Sequence, residues 1–254
     1  MRVFIFNKIP FFVIITVLIF TITIGLPAVG AISKISTETR DYWEGSNDII
    51  WQVNTNEKMI ALTFDDGPSA TFTPKVLDIL KKNNVHGTFF VIAHEVEKYP
   101  DIVRRMVYEG NEIANHTYNH KYLNRFSRED LREELKLAET TIMEASGFKP
   151  RLFRPPGGYY NKDIVEVSKE QGYRVIIWSW EQQSGDWANP GIGTIIRRVL
   201  KNAESGNIVV LHDRGGDRNQ TIRALQPIID GLKKRGFKVV TVSEMLESTG
   251  KNGI

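Results

Sequence analysis

Met59-Ile-Ala-Leu-Thr-Phe-Asp-Asp-Gly-Pro68 is the stretch of sequence that decides the fold class. Residues 59–64 form a short apolar run bounded by turn residues, and such a run predicts a buried strand. Thr73-Pro74 follows and predicts a helix with proline at its first position. A buried strand that leads into a helix is typical of a parallel sheet.

The same alternation of strand and helix continues along the rest of the chain. After 59–64, strands are predicted at 86–91, 111–114, 152–153, 173–178, 207–211 and 237–242. Helices are predicted between them, one of which begins at a capping box, Ser127-Arg-Glu-Asp130. Seven strands that alternate with helices indicate an α/β fold, either an open doubly wound sheet or a barrel.

Two adjacent carboxylates follow the first predicted strand. In both fold types the active site lies at the carboxyl ends of the strands, so Asp65 and Asp66 are candidate site residues. Two carboxylates beside a buried strand are costly unless a cation or another charge compensates them. One of them can ligate a metal while the other accepts a proton. The alternative is a solvated turn, because Asp, Gly and Pro favour turns.

Two histidines follow the third predicted strand. His116 and His120 are four residues apart, and this spacing places both imidazoles on one face if the segment is helical. Neutral imidazole suits Zn²⁺, and a set of one Asp and two His leaves a coordination position open, as catalytic zinc requires. The alternative is a pair of surface histidines, although the chain has only five His and two of them fall here.

Three later strand ends also carry charged or imidazole side chains. Arg154 follows the fourth strand, where a bidentate contact would orient a carboxylate. Asp186 ends the loop after the fifth strand, and His212 ends the sixth, where it is a candidate general acid. Taken alone, His212 is better explained as a satisfied core histidine. Five such strand ends at one edge indicate a catalytic site.

These segments resemble the five ordered motifs of the polysaccharide deacetylases, carbohydrate esterase family 4, also called the NodB-homology domain. The matching segments are 63–68, 116–120, 154–158, 186–187 and 211–213. The resemblance covers about residues 57–247. It implies a distorted (β/α)7 barrel formed by a single domain at 58–247. It also implies metal-dependent removal of N-acetyl groups, or sometimes O-acetyl groups, from glycans.

The resemblance also implies roles for individual side chains. Asp66, His116 and His120 would ligate a divalent metal, with Zn²⁺ expected first and Co²⁺ or another divalent ion as alternatives. Asp65 would act as general base, and Arg154 would orient it.

The remaining roles concern proton donation and the substrate. His212 would be the general acid, tuned by Asp186, while Trp187 and Leu211 would form the wall around the acetyl methyl group. The chain departs from the family at Gly157, where an aromatic residue is usual. A glycine keeps the backbone N–H that is expected to bind the oxyanion, and Tyr159 is the expected substitute for the missing ring. Gln183 stands where the fourth motif often begins with Asp.

The first 31 residues differ in character from the rest. They contain Arg2 and Lys8 and no acidic residue, and an apolar segment runs from residue 9 to 26. Small residues at Val29-Gly30-Ala31 then fit a signal-peptidase site. We expect either a cleaved signal peptide or a retained membrane anchor, rather than a buried core helix. The domain would then be exported, to the cell wall or to the outer face of the cytoplasmic membrane.

Residues 32–57 are predicted to form a stem and a lead-in to the domain, and 248–254 a short tail. The chain has 33 Lys+Arg against 30 Asp+Glu, an excess too small to indicate nucleic-acid binding. There is no cysteine, which excludes disulfides, thiolate metal sites and cysteine nucleophiles. A monomer is expected.

Two other classes of protein share part of this pattern. An aspartyl phosphatase of the dehalogenase type has acidic residues after a strand, but its Asp-x-Asp spacing differs from adjacent Asp65-Asp66 and it leaves both histidines unexplained. An inactive glycan-binding barrel conflicts with the intact base, acid and metal triad. For a deacetylase, exported placement favours peptidoglycan as substrate, followed by chitin-type oligomers and then xylan esters.

Overall fold

The computed structural model of the chain describes residues 42–43, 45–46 and 48–250. The predicted leader at 1–31 lies outside the described residues, as do 32–41 of the predicted stem and 251–254 of the tail. From Ser46 onward the described chain is one compact unit, in agreement with a single domain. Within the described ranges, no helix has both the length and the apolar character needed to cross a membrane.

The described residues form one sheet of parallel strands with helices around it. The strands are β1 Ile49–Ile50, β2 Met59–Asp65, β3 Thr88–Val91, β4 Glu112–Asn115, β5 Leu152–Phe153, β6 Arg174–Ile176, β7 Asn207–His212 and β8 Lys238–Val240. The helices are α1 Thr73–Lys82, α2 Ala93–Lys98, α3 Pro100–Tyr108, α4 Arg128–Ser146, α5 Lys162–Glu170, α6 Ile192–Lys201, α7 Asn219–Lys234 and α8 Val242–Glu247.

The sheet is curled rather than open. Its strand order is β1-β6-β5-β4-β3-β2-β7, and β8 also pairs with β2. The two ends of this order approach each other, because isolated bridges join Gln52 to Asn207 and Gln183 to Val210. This curled parallel sheet with its surrounding helices confirms the expected distorted barrel and excludes the open doubly wound alternative.

Alternation along β2 decides which side chains enter the barrel. Ile60, Leu62 and Phe64 belong to the large apolar cluster between the sheet and the helices. Successive side chains of a strand point to opposite faces, so Thr63 and Asp65 point inward. β2 pairs with β7 in parallel register, with Asp65 opposite His212. This pairing brings the first and last motifs to the same edge of the sheet.

All seven predicted strands are present within two residues of their expected bounds, and the structure adds β1. Ile49–Ile50 pairs with β6, and Trp51 and Val53 are buried behind it. The last part of the predicted stem therefore belongs to the domain. A strand of two residues shows no periodicity in the sequence, and its partner lies more than a hundred residues away, so no local pattern indicates it.

Candidate active site

The first feature of the site is a buried ion pair at the carboxyl ends of β2 and β5. Asp65 is buried, and Arg154 has no exposed surface. Nη1 of Arg154 donates to Oδ1 of Asp65 at 2.6 Å and to Oγ1 of Thr63 at 2.8 Å. Arg154 Nε and Nη2 instead donate to the carbonyl oxygens of Ile176 and Ile177, each at 3.1 Å. The expected bidentate contact is therefore a single hydrogen bond, because the other donors hold the neighbouring strand.

Arg154 is a fixed cation beside Asp65. Burial lowers the pKa of Arg154, and the charge and hydrogen bond of Asp65 oppose that shift. Arginine nevertheless remains protonated in proteins, so Asp65 always faces a positive charge. The guanidinium also lies 3.9 Å from the centre of the Phe90 ring. The pair is thus held rigidly, with Asp65 oriented at the end of its strand.

Asp66, His116 and His120 bring three possible metal-ligand atoms together. Oδ1 of Asp66 lies 3.6 Å from Nε2 of His116 and 3.1 Å from Nε2 of His120. The ligand atoms of this group all lie within 4.8 Å of one another. Burial acts to raise the pKa of Asp66, but the neighbouring imidazoles of His116 and His120 outweigh it and hold the pKa well below its usual value. Asp66 is therefore a carboxylate at neutral pH.

The orientation of His116 favours metal binding. Its Nδ1 lies 2.7 Å from the carbonyl oxygen of Arg154, which places the ring proton on Nδ1 and leaves the lone pair of Nε2 directed at Asp66. One carboxylate and two imidazoles form a donor set suited to Zn²⁺ and related divalent ions. Three protein ligands also leave room for water or substrate, so these residues fit a catalytic metal.

The segment between the two histidines is a turn and not a helix. Thr117 and His120 have φ angles of 69° and 56°, in the left-handed region that a helix excludes. The helical premise for the four-residue spacing was therefore wrong, although the two rings do meet, with centroids 4.9 Å apart. Hydrogen bonds of the turn, and not helical spacing, therefore bring the two imidazole rings together.

His212 and Asp186 form the second charged pair of the site. Nδ1 of His212 lies 2.8 Å from Oδ1 of Asp186, which has no exposed surface. Burial acts to lower the pKa of His212, but the hydrogen bond and charge of Asp186, aided by Asp65 and Asp66, raise it to about 9. His212 is therefore protonated at neutral pH and can donate a proton.

The predicted substrate residues lie in different surroundings. Gly157 has a φ of 66° in a tight turn at 156–158, and Tyr159 and Trp187 are exposed. A Cβ at position 157 would lie 2.9 Å from the ring of Tyr159 and 3.0 Å from that of Tyr122, which shows that these two rings cover the glycine. Gln183 is exposed, and it forms a bridge with Val210.

Leu211 was expected to form part of the pocket wall, but it lies elsewhere. It is fully buried in the apolar cluster between sheet and helices, with Leu62 and Phe64. Alternation along β7 directs Val210 and His212 to the opposite face. The correction is that Leu211 packs the core behind the site, and that Val210 is the apolar side chain of β7 on the face of His212.

Three residues outside the five motifs contact the site. Oγ1 of Thr221 donates to Oδ2 of Asp186 at 2.8 Å, and Nη1 of Arg218 donates to the Asp186 carbonyl oxygen at 3.1 Å. Oε1 of Glu134 accepts from two backbone N–H groups of the turn between the histidines. Thr221 and Arg218 lie at the start of α7, directly after the His212 loop, and that position is the signal that points to them. Glu134 has no comparable signal.

Asp213 is a buried carboxyl beside the first motif. Burial raises its pKa to about 7, with the charges of Asp66 and Asp65 adding to the effect and a hydrogen bond from Thr73 opposing it. The Oγ1 of Thr73 lies 2.5 Å from its Oδ2. A Cβ at position 67 would lie 2.5 Å from the Asp213 carboxylate, so the turn after Asp66 requires Gly67.

Comparison with known sequences supports the resemblance to the polysaccharide deacetylases. The family model described as polysaccharide deacetylase matches residues 52–176. A peptidoglycan-N-acetylglucosamine deacetylase of Bacillus cereus is 48% identical over 203 residues, which cover 80% of this chain and 95% of that protein. A chitooligosaccharide deacetylase of Bradyrhizobium sp. is 38% identical over 194 residues, 72% of this chain and 88% of that protein.

Comparison with solved structures supports the fold. The Bc1960 peptidoglycan N-acetylglucosamine deacetylase, in complex with 4-naphthalen-1-yl-N-oxidanyl-benzamide, has a TM-score of 0.78 at 33% identity and covers 81% of this chain and 96% of that chain. BA3943, a CE4 family pseudoenzyme from Bacillus anthracis, has a TM-score of 0.73 at 28% identity, over 79% of this chain and 69% of that chain. On its sequence matches, its curled sheet and its five motifs, the chain belongs to the polysaccharide deacetylases of carbohydrate esterase family 4.

Proposed function

We propose that this protein hydrolyses the N-acetyl groups of N-acetylglucosamine residues in bacterial peptidoglycan and releases acetate. The observation that carries the proposal is the convergence of a carboxylate, a metal-ligand triad and a protonated imidazole at one edge of the sheet. Amide hydrolysis needs these three: a proton acceptor, an electrophile and a proton donor. Two relatives named peptidoglycan-N-acetylglucosamine deacetylase, at 48% and 36% identity, support peptidoglycan as the substrate.

Asp66, His116 and His120 would hold the divalent cation, for which we propose Zn²⁺. A cation at this place supplies Lewis-acid chemistry, which polarises a carbonyl group and makes water easier to deprotonate. The carboxylate of Asp66 keeps its charge, and Nε2 of His116 stays free to bind, because the backbone carbonyl of Arg154 holds the proton on Nδ1.

Asp65 accepts the proton of the attacking water in this proposal. Its carboxylate is anchored through Oδ1 by Arg154 at 2.6 Å, so its orientation is fixed before substrate arrives. The guanidinium also balances the negative charge of the buried Asp65 carboxylate. Arg154 therefore acts through Asp65 as a positioning residue.

His212 supplies the proton that the leaving amine needs. With a pKa of about 9, its imidazolium predominates at neutral pH. Asp186 fixes the ring through Nδ1, which leaves Nε2 to donate. The backbone N–H of Gly157 is the proposed donor to the oxyanion, and the exposed rings of Tyr159 and Trp187 are the proposed contacts for the sugar.

A chitooligosaccharide is the second candidate substrate. The specific observation in its favour is the 38% identity to a chitooligosaccharide deacetylase over 72% of this chain. Both substrates present the same acetamido group, so the site described above serves either. The pseudoenzyme of the same fold shows that the barrel alone does not establish activity, which gives weight to the intact groups of this site.

We also propose a cellular location and an oligomeric state for the protein. The leader at 1–31, with Arg2 and Lys8 before the apolar segment 9–26, supports export across the cytoplasmic membrane. The domain would then work as a monomer on the cell wall, either free or anchored at the outer face of the membrane. Fractionation of cells followed by sequencing of the mature N-terminus distinguishes the two forms.

The test is acetate release, measured in parallel on purified peptidoglycan, chitooligosaccharides and acetylated xylan. The zinc-loaded protein should act on peptidoglycan with the highest kcat/KM, and a chelator should abolish turnover. His116→Ala should abolish it as well, while the matched His86→Ala change, which removes a histidine near Gly110 and Glu244, should leave it unchanged. No acetate from any of the three substrates would overturn the proposal.

A further inference from the structure

Every backbone N–H of the turn at 117–120 donates to a side-chain oxygen. Oδ1 of Asn115 accepts the first at 2.7 Å, and Oγ1 of Thr117 accepts that of His120 at 2.9 Å. The two middle N–H groups, of Tyr118 and Asn119, both donate to Oε1 of Glu134, at 3.1 Å and 2.8 Å. The shape of the turn between the two histidines thus depends on these few acceptors.

Glu134 differs from the other two acceptors because it comes from another element. Asn115 ends β4, directly before His116, and Thr117 lies in the turn itself, whereas Glu134 lies in α4. That helix is fixed by its capping box and by a buried face that includes Leu131, Leu135 and Ala138. Glu134 therefore connects the turn between the histidines to a helix that is held in place by its own cap and buried face.

The turn needs such a support because its backbone is strained. Thr117 and His120 both have positive φ angles, and this conformation is rare above all for a β-branched residue such as Thr117. A conformation of this kind persists only where surrounding contacts favour it over the relaxed alternatives. Hydrogen bonds to a carboxylate are stronger than those to a neutral acceptor, and Glu134 makes two of them at the middle of the turn.

We infer that Glu134 is a positioning residue of the metal centre, whose carboxylate holds the turn in the shape that directs Nε2 of His116 and of His120 at Asp66. The inference rests on the proposed function only in taking these three residues as metal ligands. Glu134 itself contacts the backbone of the turn rather than the ligand side chains. Outer contacts of this kind typically change metal affinity by about 10- to 100-fold when they are removed.

The test compares three variants of the full chain by their affinity for Zn²⁺, measured by competition with a chromophoric chelator. Glu134→Ala removes both accepted hydrogen bonds and should weaken Zn²⁺ binding about 10- to 100-fold. Glu134→Gln keeps an oxygen acceptor at the same position but loses the charge, so it should weaken Zn²⁺ binding less than Glu134→Ala does. Glu133→Ala is the matched control, since it removes an exposed glutamate next along α4, and its affinity should be unchanged.

A second readout separates positioning from general stability. The visible absorption of bound Co²⁺ reports the geometry around the ion, and it should change in Glu134→Ala but not in Glu133→Ala, while urea unfolding shows whether each variant is folded. Wild-type affinity and an unchanged Co²⁺ spectrum in folded Glu134→Ala would overturn the inference. A wild-type chain that binds neither ion would overturn the proposed function as well, so the two failures are distinguishable.

Amide hydrogen exchange of the metal-free wild type tests the inference without any variant. The N–H groups of Tyr118 and Asn119 should exchange far more slowly than those of unstructured peptides, because both are hydrogen-bonded to Glu134. Exchange of both groups at the rate of free peptides would contradict the inference even if Glu134→Ala does not fold.

Discussion

Asp65 and Asp66 are neighbours in sequence, yet their carboxylates have separate partners. Asp65 still belongs to β2 and points into the barrel at Arg154. Asp66 lies beyond the strand with a φ of 76°, and its carboxylate turns to the two histidines. The change of backbone conformation between the two residues is what allows adjacent carboxylates to take the proposed roles of base and metal ligand.

The first prediction at the residue scale concerns pH. The pKa of His212 is raised from 6.5 to about 9 mainly by Asp186 acting against burial, so kcat/KM should fall as pH rises through about 9. Asp186→Asn removes the charge that raises this pKa, and the basic limb should move to lower pH. Thr221→Val is the matched control, because it removes a neutral partner of Asp186 and leaves the charge. The pH profile of acetate release checks this, and an unmoved limb in Asp186→Asn would refute it.

The same shift has a consequence for stability. Because the folded-state pKa lies above the ordinary value of 6.5, protonated His212 stabilises the fold fully below pH 6.5, and this contribution is lost as pH rises through about 9. Urea unfolding of the metal-free wild type between these limits should therefore show decreasing stability. The slope should be smaller in Asp186→Asn, where His212 has lost its partner.

A second residue-scale prediction concerns the rings beside Gly157. Tyr159 and Tyr122 meet edge to face with centroids 5.4 Å apart, and each is 62% exposed. If they contact the sugar, Tyr159→Ala should raise KM for a chitooligosaccharide about fivefold with little change in kcat, since aromatic contacts contribute ~1 kcal/mol. Tyr108→Ala, on α3, is the control, as its ring is exposed and lies in another element. An equal KM in Tyr159→Ala would remove this ring from the substrate site.

At the scale of the element, α4 and the histidine turn show where sequence reasoning succeeds and fails. The capping box at Ser127 and Asp130 is a local pattern, and both of its hydrogen bonds are present. The histidine turn instead depends on Glu134, a contact between elements that leaves no periodic signal. The sequence therefore predicts that His116 and His120 act together, but not the backbone that brings them together.

The element-scale prediction concerns β1. Ile49 is 2% exposed, Val53 4% and Trp51 5%, so a chain that starts at residue 58 loses a strand and three buried side chains. Its free energy of unfolding should be lower by at least ~3 kcal/mol than that of a chain that starts at Ser46, because single large side chains removed from a core cost about 2–5 kcal/mol. Urea unfolding of the two truncated chains decides this, and equal midpoints would show that β1 is dispensable.

At the scale of the whole molecule, the sequence predicts a parallel α/β sheet because most of its strands are buried on both faces, and the resemblance to the family implies that the sheet forms a barrel. Continuous apolar runs such as 59–64 and 207–211 mark these strands. Function then follows from the order of the sheet, since β2 lies between β3 and β7 and gathers motifs that are far apart in sequence. Whether a single side chain points into the barrel or outward is harder to predict from the sequence. Leu211 was expected at the site and lies behind it.

The metal should also stabilise the whole molecule. A ligand that binds only the folded state adds ~2.7 kcal/mol at a concentration one hundred times its Kd, so Zn²⁺ should raise the melting temperature. His116→Ala should abolish the increase, and His86→Ala should retain it. Calorimetry of the metal-free chain with and without Zn²⁺ checks this, and an equal increase in His116→Ala would place the ion elsewhere.

Asp65 is the proposed base of this metal-dependent deacetylase, and its replacement by asparagine tests that role. Acetate release from peptidoglycan is compared between the wild type and Asp65→Asn, with the zinc content of both determined. Asparagine keeps an oxygen for Arg154 but cannot accept the proton, so release should fall about 100-fold or more while zinc stays bound. Near-wild-type release by fully zinc-loaded Asp65→Asn would contradict the account.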